Sequence, residues 1–206
     1  TIYSGLICGI LESKDIGNCS NGGISETNDN VLLVMEKEEA HVFEESEPVF
    51  VSEKCHGGFG RFCHSNGRIY CGSKREWKKE SESNVWWKAL RGCPQLEVLC
   101  LREEVTVYGE VIGIQDLKYG YAKGRVRIVV FDILQHDRWF DPLEAAALCT
   151  VYDIPFVPIL GTSIPFDFEG LQLMADGESL VAGAKNIREG IVIRPMAERR
   201  NNEIGR

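Results

Sequence analysis

The sequence predicts an α+β fold, and three observations predict it. Short β-type segments are joined by hairpins or loops. Helix candidates fall between groups of strands. No regular βαβ alternation appears, as a parallel doubly wound sheet would require. With 206 residues, 44% of them hydrophobic, the chain can bury a substantial core. It carries neither a G-x-x-x-x-G-K-[ST] loop nor a Rossmann glycine fingerprint.

The elements follow in order. Asn18 to Asn30 is rich in Gly, Ser and Asn and reads as a loop or linker. Val31 to Met35 is a short apolar strand. A short helix is expected over Glu36 to Phe43, within an acidic stretch, and Pro48 opens an extended segment. Val49 to Glu53 carries β-branched and aromatic residues and reads as a strand that ends at Lys54. Gly57 and Gly58 follow, where missing side chains permit a tight turn. Phe59 to His64 and Arg68 to Gly72 flank Asn66-Gly67, a strong hairpin signal. Glu82 to Arg91 is a helix bearing Trp86 and Trp87. Val105 to Ile112 is a strand, Gln115 to Lys123 a loop with Gly120 and two tyrosines, and Arg125 to Leu134 a long strand. At Asp141-Pro142 a helix starts, with Asp as N-cap and Pro at the first position, and runs to about Tyr152. Phe156 to Leu160 reads as a short strand, Phe168 to Ala175 as a helix, and Ile191 to Arg194 as the last strand.

Charge sets a second bound. The formal net charge is −8, which by itself argues against a nucleic-acid partner, since phosphate contacts need Lys and Arg. The distribution softens that argument. Acidic residues crowd Glu36, Glu38, Glu39, Glu44, Glu45 and Glu47. Basic residues gather at Arg61, Arg68, Lys74, Arg75, Lys78 and Lys79, then at Lys118, Lys123, Arg125 and Arg127, and again at Arg188, Arg194, Arg199 and Arg200. Each cluster can be ordinary solvated surface, and a locally basic groove is equally compatible with an acidic chain.

None of the eight cysteines forms a C-x-x-C pair. Cys55, Cys63 and Cys71 recur at intervals of eight, but the close ligand pairs of a zinc site are missing. Even spacing along strands, with side chains on one face, explains them more simply. Reduced thiols fit an intracellular, cytoplasmic protein. No apolar run approaches a membrane span, and no secretory signal is present. The chain begins with Thr1 and is expected to be processed or a piece of a longer protein.

Several chemistry-bearing residues lie on separate β-type segments. Lys54, in Glu53-Lys54-Cys55-His56-Gly57, precedes a glycine turn with room for a phosphate. A lysine amine has an ordinary pKa of about 10.4 and is non-nucleophilic at neutral pH until it loses its proton. Glu110, in Tyr108-Gly109-Glu110-Val111, and Glu189, in Glu189-Gly190-Ile191-Val192-Ile193-Arg194-Pro195, each adjoin a glycine. Carboxylates in such places can hold a hard cation against triphosphate oxygens or accept from ribose hydroxyls. Phe131, in Phe131-Asp132-Ile133, is either core or an aromatic platform for a purine. Lys74 and Arg75, just after the hairpin, can reach a phosphate or ribose. His56 is either a structural donor or a phosphate contact.

These residues resemble the motif series of the covalent nucleotidyltransferases, in particular the RNA ligase family. Lys54-Cys55-His56-Gly57 resembles K-x-[DH]-G, whose lysine accepts AMP. Its His is typical of one RNA ligase branch, where DNA ligases and capping enzymes carry Asp. Ser73-Lys74 or Lys74-Arg75 falls where the next motif lies. Tyr108-Gly109-Glu110 resembles the third, and Gln115 to Gly120 also resembles that branch. Phe131-Asp132-Ile133 is similar to the motif whose aromatic residue stacks on adenine. Glu189 to Pro195 is similar to the motif whose glutamate lies at the metal and phosphates.

The resemblance implies a nucleotidyltransferase (ATP-grasp-like) core of antiparallel sheets with flanking helices. It would occupy residues 31–206, with residues 1–30 as the tail of a preceding domain and linker. The implied activity is an ATP-dependent RNA ligase that joins 5′-phosphate and 3′-hydroxyl RNA ends through a lysyl-AMP intermediate. Lys54 is then the catalytic nucleophile. Glu53, Lys54, His56, Gly57, Lys74, Arg75, Glu110, Phe131 and Glu189 bind the nucleotide. Glu189 and Glu110 hold Mg²⁺ or Mn²⁺. The cosubstrate is ATP and the partners are the ends of nicked or broken RNA, with no membrane; the sequence does not set an oligomeric state. The family also uses a lysine-bearing strand shortly after the glutamate motif. Only Arg199 and Arg200 follow here before Arg206, so that strand is expected beyond the end and this piece is expected to be weak or inactive alone. Two alternatives remain at this stage: a non-catalytic RNA-binding module on the same fold, and a GTP-using capping-type guanylyltransferase, against which His56 weighs.

Overall fold

A computed structural model describes residues 9–12, 33–34, 42–114 and 125–199. In chain order the elements are β1 (Gly9–Glu12), β2 (Leu33–Val34), β3 (Pro48–Glu53), β4 (Gly58–Ser65), β5 (Arg68–Gly72), α1 (Val85–Arg91), α2 (Pro94–Arg102), β6 (Val105–Ile112), β7 (Arg127–Gln135), β8 (Arg138–Trp139), α3 (Pro142–Val151), β9 (Ile159–Pro165), α4 (Phe168–Ala175) and β10 (Gly190–Pro195). The expected α+β class is the observed one. The chain divides into two compact units: Thr1–Lys54 with Pro158–Leu180 and Asn186–Arg206, and Cys55–Val157 with Val181–Lys185.

The first unit is built on a sheet of order β2-β1-β10-β3-β9. β10 runs antiparallel to β3, with Ile191 opposite Glu53 and Ile193 opposite Val51. On its other edge β10 pairs antiparallel with β1, Gly9 opposite Ile193. Alternation fixes which side chains face inward. Val49 and Val51 of β3 and Ile191 and Ile193 of β10 are fully buried and pack with Phe166, Leu171 and Ala175. α4 is capped by Asp167, whose carboxylate accepts from the Glu169 and Gly170 N–H groups at 3.2 and 3.1 Å, satisfying two otherwise orphaned donors.

The second unit is an antiparallel sheet of order β5-β4-β6-β7-β8. The β4–β5 turn has Asn66 at φ 50° and Gly67 at φ 73°, the two left-handed positions that a tight hairpin needs and that Asn-Gly supplies. One face of the sheet carries Phe62, Val107, Val111, Ile128, Val130 and Ile133, packed with Trp87, Leu90, Leu96, Leu99 and Ala145 of the helices. α1 starts one residue after Asn84, whose side chain accepts from the Trp86 and Trp87 N–H groups. α3 has the expected Asp141 N-cap and Pro142, reinforced by a capping box with Glu144.

Several elements differ from expectation: β1 and β8 were not anticipated, and α1 begins at Val85 and not at Glu82. The strand expected over Phe156 to Leu160 begins instead at Ile159 and runs to Pro165. Pro155 and Pro158 lack N–H donors. Phe156 therefore forms only an isolated bridge to Val130, and pairing as β9 starts past Pro158. α2 was not anticipated, because Val98 to Leu101 is an unbroken apolar run without helical alternation. The helix expected over Glu36–Phe43 lies outside the described residues except for Val42 and Phe43. The loop Gln115–Lys123, with Lys118 and Lys123, lies wholly outside them, as does Arg200.

Candidate functional site

In the first unit, β3 and β10 bring Lys54 and Glu189 together although they are 135 positions apart in sequence. The backbone does this directly. The Lys54 N–H donates to the Gly190 carbonyl at 3.0 Å, extending the β3–β10 ladder by one step. Lys54 Nζ then donates to Glu189 Oε1. Both side chains are largely enclosed, at 14% and 15% exposure. A lysine at a strand end is most often solvent-facing; this one is not.

Glu53, the preceding residue, is buried at 1% exposure. Its Oε1 accepts from the Ser179 hydroxyl and its Oε2 from the Leu180 N–H at 2.7 Å. Its own N–H donates to the Pro158 carbonyl at 2.8 Å. The carboxylate thereby ties β3 to Ser179 and Leu180, just past α4. Arg188 donates to the Glu178 carbonyl at 3.0 Å and to the Met174 carbonyl at 3.3 Å. Ser179 was not singled out in the sequence, and Arg188 only as one member of a basic cluster; no motif announces either contact.

In the second unit, Gly57 and Gly58 form the turn into β4. A Cβ on Gly57 would stand 2.3 Å from the Val111 carbonyl oxygen and 3.1 Å from Glu110 Cγ. Only glycine fits, and the close approach puts the Glu110 side chain against the turn. His56 is half-buried there. Lys74 is half-buried and Arg75 exposed, in the turn closed by the Ser73 N–H on the Glu76 carbonyl at 3.0 Å.

Phe131 occupies a β-bulge. On β7, Val130 opposes Gly109 and Asp132 opposes Tyr108, so Phe131 is the extra residue. A bulge re-aims side chains and shifts the alternation by one. Ile128 and Val130 before it, and Ile133 after it, all reach the same core. Phe131 itself lies on the opposite face, 5.8 Å from Phe59 between ring centroids, beside the small cluster of Ile112, Val129 and Val157. Gly109 permits the bulge, since a Cβ there would stand 2.6 Å from the Val129 carbonyl oxygen.

The expectation that Cys55, Cys63 and Cys71 share a face is corrected by the hairpin register. Phe62 opposes Cys71 and Cys63 opposes Tyr70, so the turn places Cys63 and Cys71 on opposite faces. Among the described residues, no three His, Cys, Asp or Glu side chains converge as a metal cluster, and the described cysteines are free thiols.

Two sheets, antiparallel except for the β1–β2 pair, with flanking helices form a core of the nucleotidyltransferase type. The RNA ligase family model matches residues 47–206, and the chain belongs to the RNA ligase family. Solved structures of Naegleria gruberi RNA ligase share the fold. A substituted apo form gives a TM-score of 0.67 at 22% identity over 95% of this chain and 58% of that one. A substituted form with ATP and Mn gives 0.65 at 22% identity over 84% and 53%, and one with AMP and Mn gives 0.66 at 24% identity over 84% and 53%. The chain thus spans about half the length of these structures. No curated protein matches it significantly. No helix among the described residues is long and apolar enough to cross a membrane.

Proposed function

We propose that this chain is the nucleotide-transferring core of an ATP-dependent RNA ligase, with Lys54 as nucleophile. The observation that carries the reading is the enclosed Lys54 amine held by Glu189 at the junction of β3 and β10. Family membership and ATP-bound neighbours support it.

In the proposed reaction the Lys54 amine, once deprotonated, attacks the α-phosphorus of ATP in line. A P–N bond forms, the bond to the bridging oxygen breaks, and pyrophosphate leaves. The AMP then passes to the 5′-phosphate of an RNA end, and a 3′-hydroxyl displaces it to seal the strand. Positioning and charge stabilisation dominate such transfers. Glu189 holds Nζ at rest, and the lone pair becomes available once the ammonium has released its proton to solvent and turned to the α-phosphorus. His56 and the open backbone at Gly57 are assigned to phosphate, Phe131 to the purine face, and Lys74 and Arg75 to phosphate or ribose. Glu53 acts on its neighbour Lys54 by fixing β3, through its bonds to Ser179 and Leu180.

A divalent cation suits carboxylate donors of this kind. Mg²⁺ and similar hard ions are commonly held by one or two carboxylates plus substrate phosphates and water, not by an all-protein cage. Glu189 and Glu110 are the carboxylates assigned to Mg²⁺ or Mn²⁺. When bound, the ion would neutralise charge on the departing pyrophosphate.

The test is covalent labelling of the protein by ATP radiolabelled at the α-phosphate. Lys54→Ala should abolish the label, and GTP should not substitute for ATP. Labelling that persists without Lys54 would end the proposal. Salt-dependent RNA binding without any label would favour the non-catalytic module, and preference for GTP the capping-type enzyme.

A further inference from the structure

The face of the second sheet that carries Phe131 does not stop there. Phe59 lies 6.1 Å from Tyr108, which lies 5.2 Å from Trp139. Across the strands Tyr108 opposes Arg61, and Arg61 opposes Gly72. Gly72 in turn bridges to Trp77. The absent side chain matters, because a Cβ on Gly72 would stand 2.4 Å from the Glu76 carbonyl oxygen, 3.0 Å from Trp77 Cα and 3.1 Å from its ring. The indole therefore lies over the strand, with the Arg61 guanidinium 4.1 Å from its centroid and Tyr70 edge-on at 5.9 Å.

Trp77 is 46% exposed, high for a side chain that is on average well buried. Its loop is held firmly. The Lys78 N–H donates to the Cys71 carbonyl at 2.8 Å, and Trp87 Nε1 donates to the Lys78 carbonyl at 2.9 Å. A pinned, exposed ring loses little conformational freedom on binding a planar partner. Arg61 is stacked on the ring, and its Nε is buried without a hydrogen-bond partner among the described residues; a guanidinium is the side chain best shaped to take a phosphate through its planar fork. The stretch of sequence from Arg61 to Glu82 holds Arg61, Arg68, Lys74, Arg75, Lys78 and Lys79 against Glu76, Glu80 and Glu82, with Lys78 paired to Glu76 and set over Trp86. In a chain of net charge −8, this is a local excess of positive charge, complementary to a phosphate backbone.

We propose that Trp77, with Arg61 and Tyr70, is a docking platform for a single-stranded RNA segment. An unpaired base stacks on the indole and Arg61 takes an adjacent phosphate. Stacking requires an unpaired base, which commits the occupant to single strand. That the strand is RNA rests on the ligase reading; the platform itself does not.

The experiment measures binding of a short 5′-phosphorylated oligoribonucleotide to the protein by anisotropy over a range of salt, with AMP labelling and thermal unfolding in parallel. Trp77→Ala should weaken binding by about 5- to 100-fold. Trp77→Leu keeps an apolar cover over Gly72 but removes the π face, and should weaken binding comparably; Trp77→Phe should retain most of it. Arg61→Gln should lower the salt slope by about one. Lys54 labelling should be unchanged in all four. The proposal is overturned if Trp77→Leu and Trp77→Phe bind RNA alike, or if inorganic polyphosphate shows the same dependence on Trp77. Trp77-dependent binding without any wild-type labelling would remove the ligase reading and leave the platform standing.

Discussion

Glu53 offers the sharpest test of how the site is held. Its buried carboxylate satisfies two donors just past α4, the Ser179 hydroxyl and the Leu180 N–H. Hydrogen bonds to a charged group contribute about 1.5–3 kcal/mol each, so deleting both by Glu53→Ala removes about 3–6 kcal/mol. Relief of the carboxylate's desolvation takes part of this back, leaving a net loss of about 2–4 kcal/mol, a large share of a typical total of about 5–15 kcal/mol. Glu53→Gln behaves differently. Its carbonyl can still accept from Leu180, and its amide can donate to the rotatable Ser179 hydroxyl. Only the charge assistance is lost, so about 1 kcal/mol is expected. Urea unfolding gives the totals, and hydrogen exchange at the Leu180 amide gives the local effect. If Glu53→Ala were within about 0.5 kcal/mol of the parent, or if Glu53→Gln fell as far as Glu53→Ala, the anchoring argument would be wrong. A Glu53→Gln protein of full stability that lost AMP labelling would mean that this carboxylate touches nucleotide.

Two further outcomes follow from the geometry. Gly57→Ala should destabilise the second unit by about 1–3 kcal/mol, because its Cβ would stand 2.3 Å from the Val111 carbonyl oxygen; thermal unfolding measures it, and an unchanged midpoint would refute the close approach. Burial pushes the Cys71 and Cys149 thiols up to about 12, so at pH 8 they should resist alkylation in the native protein while half-buried Cys55 reacts, as peptide mapping of the alkylated protein would show.

Much of the fold was legible because local chemistry decided it. Asn66-Gly67 could make only one kind of turn, and Asp141-Pro142 only a helix start. β6 spans the expected residues Val105–Ile112, and α4 the expected Phe168–Ala175. The misses were places where a missing donor or a tertiary contact decided. Pro158 delayed β9, and the apolar run in α2 became a helix because Leu96 and Leu99 could pack on the sheet. The motif residues were visible as types and order, but not as contacts. Nothing local says that Lys54 reaches Glu189, or that Glu53 turns inward to Ser179.

The bulge at Phe131 shows why such a site resists reading by alternation alone. Strict period two through Arg125–Leu134 would place Phe131 and Ile133 on the same face. One extra residue, permitted by the bare backbone of Gly109, separates them: Ile133 enters the core and Phe131 faces away toward Phe59. The same logic operates at Gly57 against Val111 and at Gly72 under Trp77. At each position a glycine lets backbone or ring approach where a side chain would block it. The residue that carries the chemistry is then presented by its neighbour's absence of a side chain, and a glycine beside a motif residue is the sequence signal that points to such a site.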